Sequence, residues 1–263
     1  MVDFENKARY DLSDLRALMT LLRGPGGCPW DREQTHESIR RNMLEEAYEA
    51  AEAIDNGDSE LLLEELGDVL LQVFFHADIA NQSGRFDLDD IADATCRKLL
   101  RRHPHVFGGV KANNGSESLA FWEEAKREEK LQVSVADAMR SVARSLPALW
   151  RAEKVQKKAA KVGFDWPDHT GATGALRAEL GELDDAIATG SDIEDELGDL
   201  LFSAVNVARF FGVDPEKALG NATDKFVDRF SRLEEKAASQ GRRLGDMSLD
   251  DMEELYRQVK LEK

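Results

Sequence analysis

Long apolar runs are absent from this chain. No stretch of its 263 residues approaches the ~18 uninterrupted apolar residues that a membrane helix needs. The N-terminal MVDFENKARYDLSDL lacks the basic-then-apolar pattern of a secretory leader, so a cytoplasmic location is expected. Cysteine is scarce: Cys28 and Cys96 sit in neither a CxxC nor a zinc spacing and read as two reduced thiols. Positive charge is short, with 35 Lys and Arg against 52 Asp and Glu and a net charge of −17. That argues against a nucleic-acid surface, because neutralising a phosphate backbone needs clustered cations. Alternating strand patterns are missing; HVFGGV (105–110) is too short and glycine-rich. There is no GxxxxGK[ST] loop, which argues against a motor-type ATPase. Histidines 36, 76, 103, 105 and 169 show no ligand-like spacing beyond His103-Pro104-His105, which reads as a helix stop and loop anchor.

What the chain does have is helical periodicity. Apolar residues make up 42% and charged residues 33%, a globular rather than a disordered composition. Apolar spacing predicts helices over about 11–23, 37–56, 59–83, 87–102 and 116–132. Ser134 and Asp137 are placed to cap a helix running to about 150. Further helices are predicted over about 172–189, 192–211, 215–238 and 249–261. Ser191 with Glu194 has capping-box spacing, and Asp214-Pro215 reads as a cap followed by proline at the first helical position. The second half repeats the plan of the first. GGCPWDREQT returns as GFDWPDHTG, and EELGDVLLQ (64–72) returns as DELGDLLFS (195–203). The chain therefore reads as a tandem duplication joined near 130–134, with domains 1–132 and 133–263.

The repeated words are acidic. LEEAYEAAEAI carries Glu45, Glu46 and Glu49, with Glu46 and Glu49 three apart on one helical face. The next helix offers Glu65 and Asp68, again three apart. If the two helices pack antiparallel, four carboxylates converge among small and apolar neighbours. Such a group is costly without a counter-ion, and oxygen-only ligands favour Mg2+, Mn2+ or Ca2+ over zinc. The simpler explanation is a solvated acidic face, but the second half restates both pairs as Glu179/Glu182 and Glu196/Asp199. Gly67 and Gly198 lie inside the ExxD pairs, each at a cost of roughly 1 kcal/mol of helix stability relative to Ala. Their reading is close approach of a neighbouring helix or a ligand.

Cations and aromatics repeat in the same order. Lys98 and Arg102 lie four apart, as do Lys225 and Arg229, and each pair suits a polyphosphate. Trp122 with Lys126, and Tyr256 with Lys260, place an aromatic one turn before a lysine, able to stack a base and touch a phosphate. Ordinary packing and solvated stripes are the plainer readings of each pair alone.

EEAYE (45–49), ELGD (65–68), GCPWD (27–31), RRHPHVFG (101–108) and GFDW (163–166) together resemble the MazG family of nucleoside triphosphate pyrophosphohydrolases in its two-domain form. The resemblance covers essentially the whole chain. It implies an all-α fold of tandem, four-helix-bundle-type domains that forms a homodimer. It implies Mg2+-dependent hydrolysis of NTPs and dNTPs between the α and β phosphates, with Mn2+ as a substitute metal. On the family motif, Glu46, Glu49, Glu65, Asp68, Glu179, Glu182, Glu196 and Asp199 are metal ligands. Lys225 and Arg229 match the family's triphosphate contacts and Tyr256, followed by Lys260, stands where it places an aromatic against the base; the internal repeat puts Lys98, Arg102, Trp122 and Lys126 in the same roles in the first half. Glu45 is the candidate for orienting the attacking water; its counterpart is Ala178. Ala175 and Asp192 also depart from the polar or basic nucleotide contacts expected there. Two other readings compete. A di-iron bundle wants Glu-x-x-His from two helices, and only Glu33–His36 supplies it. A catalytically weak nucleotide-binding regulator would bind NTPs without turnover.

Overall fold

The computed structural model describes residues 4–129 and 134–262, and every regular element among them is helical. The chain divides into two compact units, residues 1–126 and 127–263. The join expected near 130–134 and the end of the helix expected over 116–132 fall largely on residues 130–133, outside the described ones.

In the first unit, α1 (Leu12–Arg23) begins at Asp11, whose carboxylate accepts from the Ser13 and Asp14 amides while Asp14 returns the favour to the Asp11 amide. This reciprocal cap satisfies donors that the first turn leaves without partners. A short α2 (Pro29–Glu33), absent from the sequence reading, opens with proline, which needs no amide partner there. α3 (Arg40–Asn56) ends at Gly57 in the left-handed region at φ 68°, and Asp58 at once caps α4 (Ser59–Gln82). A connection this short makes α3 and α4 an antiparallel hairpin that packs along its length. Ala50 and Ala53 are buried in α3. Met19, Ile39, Phe74 and Phe75 form the core, with Leu15, Leu70, Leu71, Ile79 and Leu88 against it. Burial of each such large side chain stabilises by about 1.5–3 kcal/mol. The unit is completed by α5 (Leu88–Arg102), α6 (Pro104–Phe107) and α7 (Gly115–Glu129). α5 stops at His103, whose Nδ1 lies 2.7 Å from the Leu99 carbonyl oxygen.

The second unit contains α8 (Val135–Arg140), α9 (Ala148–Ala160), α10 (His169–Thr189), α11 (Ile193–Phe210), α12 (Pro215–Ser239) and α13 (Leu249–Leu261). The expected Ser134–Asp137 capping box forms, but the helix does not run on to 150. It stops at Arg140, and α9 starts afresh after Pro147, which has no amide to continue a ladder. Asp214 caps α12 before Pro215 as anticipated. The Ser191–Glu194 box does not form: Asp192 occupies the N-cap of α11 at φ 60°, without a side-chain cap bond. α10 and α11 pair as α3 and α4 do. Leu233, Ala237, Leu255 and Val259 make a second core between α12 and α13.

Candidate active site

The α3–α4 hairpin brings acids from both helices together. Glu46, Glu49 and Glu65 each offer a carboxylate oxygen within 4.8 Å of the others. Glu65 is only 9% exposed. Burial, Asp68, Glu49 and Glu65 all push the Glu46 carboxyl above the ordinary range. Burial pushes Glu65 up as well, joined by Glu49 and Asp68. Asp68 thus stands outside the tightest triplet but inside its field.

The α10–α11 hairpin repeats the arrangement with a different third member. Glu179, Glu196 and Asp199 form the triplet. Burial first, then Glu182 and Asp199, raise the Glu196 carboxyl. In both units the cost of gathering carboxylates is visible as protons held too tightly, and a hard divalent cation would remove it. The donor set is oxygen only and fits such an ion.

Glu45 lies next to Glu46 in sequence but outside the triplet: it is exposed and accepts from Arg41 Nε at 2.7 Å. Gly67 and Gly198 do not meet the expectation of close approach within a unit. A Cβ built on either would find nothing within 4 Å.

Some of the cations meet the aromatics. Arg102, 7% exposed, lies 5.1 Å from the Trp122 ring centre, and Lys126 Nζ lies 4.7 Å from it. In the second unit Lys260 Nζ is 4.8 Å from the Tyr256 ring, which also meets Phe226 at 6.0 Å. Each aromatic–lysine pair therefore forms the one-turn contact that its spacing predicts. Tyr256 also packs against the α12–α13 core, so packing and ligand contact are not exclusive there. Among the described residues Lys98, Lys225 and Arg229 have no ion-pair partner. In a chain with net charge −17, cations left unpaired are available to an anion.

One polar pair was missed by the sequence reading. His36 and His76 stack at 5.1 Å, with their Nδ1 atoms 2.8 Å apart. They are far apart in sequence, so no spacing rule joins them. One Nδ1 must carry a hydrogen and the other a lone pair. Burial and the proximity of His36 hold His76 below the ordinary histidine range.

Comparison with known proteins gives the following. The family model described as "MazG nucleotide pyrophosphohydrolase domain" matches residues 34–107 and 168–232. An Escherichia coli K12 protein named "Nucleoside triphosphate pyrophosphohydrolase" is 45% identical over 251 residues, covering 94% of this chain and 95% of the relative. A Thermotoga maritima protein named "Nucleoside triphosphate pyrophosphohydrolase/pyrophosphatase MazG" is 43% identical over 247 residues, covering 94% of each chain. A Mycobacterium tuberculosis protein with the same name as the first is 39% identical over 234 residues, 88% of this chain and 60% of that one.

Proposed function

The chain belongs to the MazG nucleotide pyrophosphohydrolase family, and from that premise we propose that it hydrolyses (d)NTPs at the α–β bond to (d)NMP and pyrophosphate. The observation that carries the reading is the acidic triplet present in both units with its carboxyls driven up by burial and mutual repulsion. Glu46, Glu49, Glu65 and Asp68 would hold a divalent ion in the first unit, and Glu179, Glu182, Glu196 and Asp199 in the second. Mg2+ is the natural ion, and Mn2+ would substitute. When bound, it neutralises phosphate charge and makes a water more acidic.

The chain's own groups do the rest. Lys98 with Arg102, and Lys225 with Arg229, take phosphate oxygens and hold the triphosphate extended. Trp122 and Tyr256 offer ring faces to the base, and Lys126 and Lys260 stay one turn on. Water attacks in line, its oxygen bonds to phosphorus, its proton passes to a carboxylate, and pyrophosphate leaves. Glu45, held by Arg41, is the group nearest in sequence to orient that water in the first unit; Ala178 leaves the second unit without it.

We further propose a homodimer. Leu44, Tyr48, Leu63 and Leu66 on the α3–α4 hairpin, and Leu180, Ile187, Leu197 and Leu201 on α10–α11, lie exposed beside the acids. The empty space over Gly67 and Gly198 leaves room for a second copy at the same faces. No helix among the described residues is long and apolar enough to cross a membrane, and the acidic surface supports a cytoplasmic, nucleotide-pool role without nucleic acid.

Glu49→Gln and Glu182→Gln, separately and combined, test the assignment by steady-state NTP hydrolysis in Mg2+. Each single variant should silence one unit. The double variant should lose more than the roughly 10–100-fold that removing a metal ligand's own hydrogen-bond partner costs. A fully active double variant would sink the assignment.

A further inference from the structure

The GFDW segment (163–166) carries part of the family resemblance, yet none of its residues enters the proposed chemistry. Its local build is tight. Gly163 turns in the left-handed region at φ 84°. Asp165 forms a two-bond ion pair with Arg209 of α11 and accepts from the Trp166 amide. The Trp166 indole is seated flat on Gly171 of α10, where an added Cβ would come within 2.6 Å of the ring. Behind this loop lies a cavity of about 430 Å3, lined by Trp166, Phe164, Phe202, Gln156, Asn206 and Ala159 among others.

Two polar groups in the cavity are left waiting. Gln156 is 7% exposed, and its Nε2 donates to the Phe202 carbonyl at 2.8 Å. That bond fixes the amide so that Oε1 is the acceptor, and Oε1 has no partner. Asn206 Oδ1 receives both Arg209 Nε and Nη2, which leaves its NH2 as an unused donor. A buried acceptor without a partner costs about 1–3 kcal/mol, and native proteins keep few of them.

The duplication supplies an internal control. Counting from the loop glycine, Ala159 stands where the first unit has Arg23. Counting from the ExxD glutamate, Asn206 stands where the first unit has Phe75. In the first unit those two side chains fill the same place: the Arg23 guanidinium lies 5.0 Å from the Phe75 ring, and Phe75 meets the Trp30 edge. The second unit replaces both large groups by small ones and so opens the cavity.

We propose that this cavity binds a flat, neutral heteroaromatic ring of the nucleobase class, as a nucleoside. The ring lies among Trp166, Phe164 and Phe202, its edge donor meets Gln156 Oε1, and its edge acceptor meets the Asn206 amide. Arg209, the one cation among the described lining residues, is committed to Asp165 and Asn206, so the cavity favours the neutral nucleoside over a phosphate. Asn206 lies three helical turns along α11 from Glu196, and the site is separate from the acid cluster.

The test is calorimetric titration of the full chain with adenosine, guanosine, cytidine and uridine, without metal. The variants are Asn206→Phe, which restores the first unit's own residue, and Gln156→Leu. At least one nucleoside should bind the wild type at one per chain. Asn206→Phe should abolish binding while keeping a cooperative thermal melt, and Gln156→Leu should weaken it at least tenfold. Glu182→Gln, which disables the second unit's proposed hydrolytic site, should bind nucleoside as the wild type does, so the two proposals fail separately. No binding by any nucleoside, equal binding by Asn206→Phe, or a change of oligomeric mass instead of binding would overturn the inference.

Discussion

His36 and His76 show how far a residue's chemistry depends on a neighbour that sequence order hides. Each histidine alone is unremarked in the sequence; together they oppose Nδ1 to Nδ1. The sign of the consequence follows from the direction of the shift. His76 is held below its ordinary range by burial and then by His36, so the unfolded chain takes up a proton at a higher pH than the folded one. The neutral pair's contribution to stability is present above the ordinary histidine value of about 6.5 and is lost as pH falls from there toward the folded value. The melting temperature of the wild type should therefore fall more steeply than that of His76→Asn between about pH 7.5 and about 5.5. Parallel curves would show that the pair is not coupled to folding. Gln156 and Asn206 were equally invisible in sequence, because an unpartnered amide is defined by what fails to reach it. The acids were legible because each pair is local, three apart on one helix, and the duplication repeats it. Their difference in detail was not: Glu49 completes one triplet and Asp199 the other, a matter of how each exposed side chain turns.

At the scale of elements, the long amphipathic helices and some of their caps were readable. Ser134 and Asp214 accept amide bonds at helix starts as expected, and Asp11, Asp58 and Asp87, not singled out in the sequence, do the same. Failures came where one residue outweighed the pattern around it. Pro147 splits the helix expected over 134–150 and starts α9, and Asp192 replaces the expected Ser191 cap with a left-handed turn. The glycines taught a different lesson. A Cβ added at Gly67 or Gly198 meets nothing within 4 Å, which leaves room over each for a ligand or a second copy. The exposed Leu66 and Leu197, each beside one of these glycines, should lie in the contact between copies. Light scattering should give twice 29.4 kDa for the wild type, falling toward the single-chain mass in the Leu66→Lys, Leu197→Lys double variant. A wild-type protein with single-chain mass would contradict the dimer.

For the whole molecule, duplication followed by divergence is the theme. Both units kept the acidic hairpin, the spaced cations and the aromatic with its lysine. They parted where the first unit filled its interior with Phe75 and Arg23, and where the second lost the glutamate matching Glu45. The buried Arg23–Asp78 pair of the first unit, at 2.9 Å with Gln82 joining both partners, has an exchanged counterpart in the second, where Arg209 supplies the cation from α11 and Asp165 the acid from the loop. Family membership and the helical fold were accessible from motifs alone, because those motifs are contiguous in the chain. The open cavity of the second unit required coordinates, because it is made by two distant positions becoming small at once.

The central claim concerns which bond breaks, and product analysis tests it most directly. Purified protein is incubated with Mg2+ and each common NTP and dNTP, and the nucleotides are separated by chromatography with pyrophosphate assayed in parallel. The account predicts nucleoside monophosphate and pyrophosphate in equal amounts, with no diphosphate at any time. Accumulation of diphosphate with orthophosphate would contradict it.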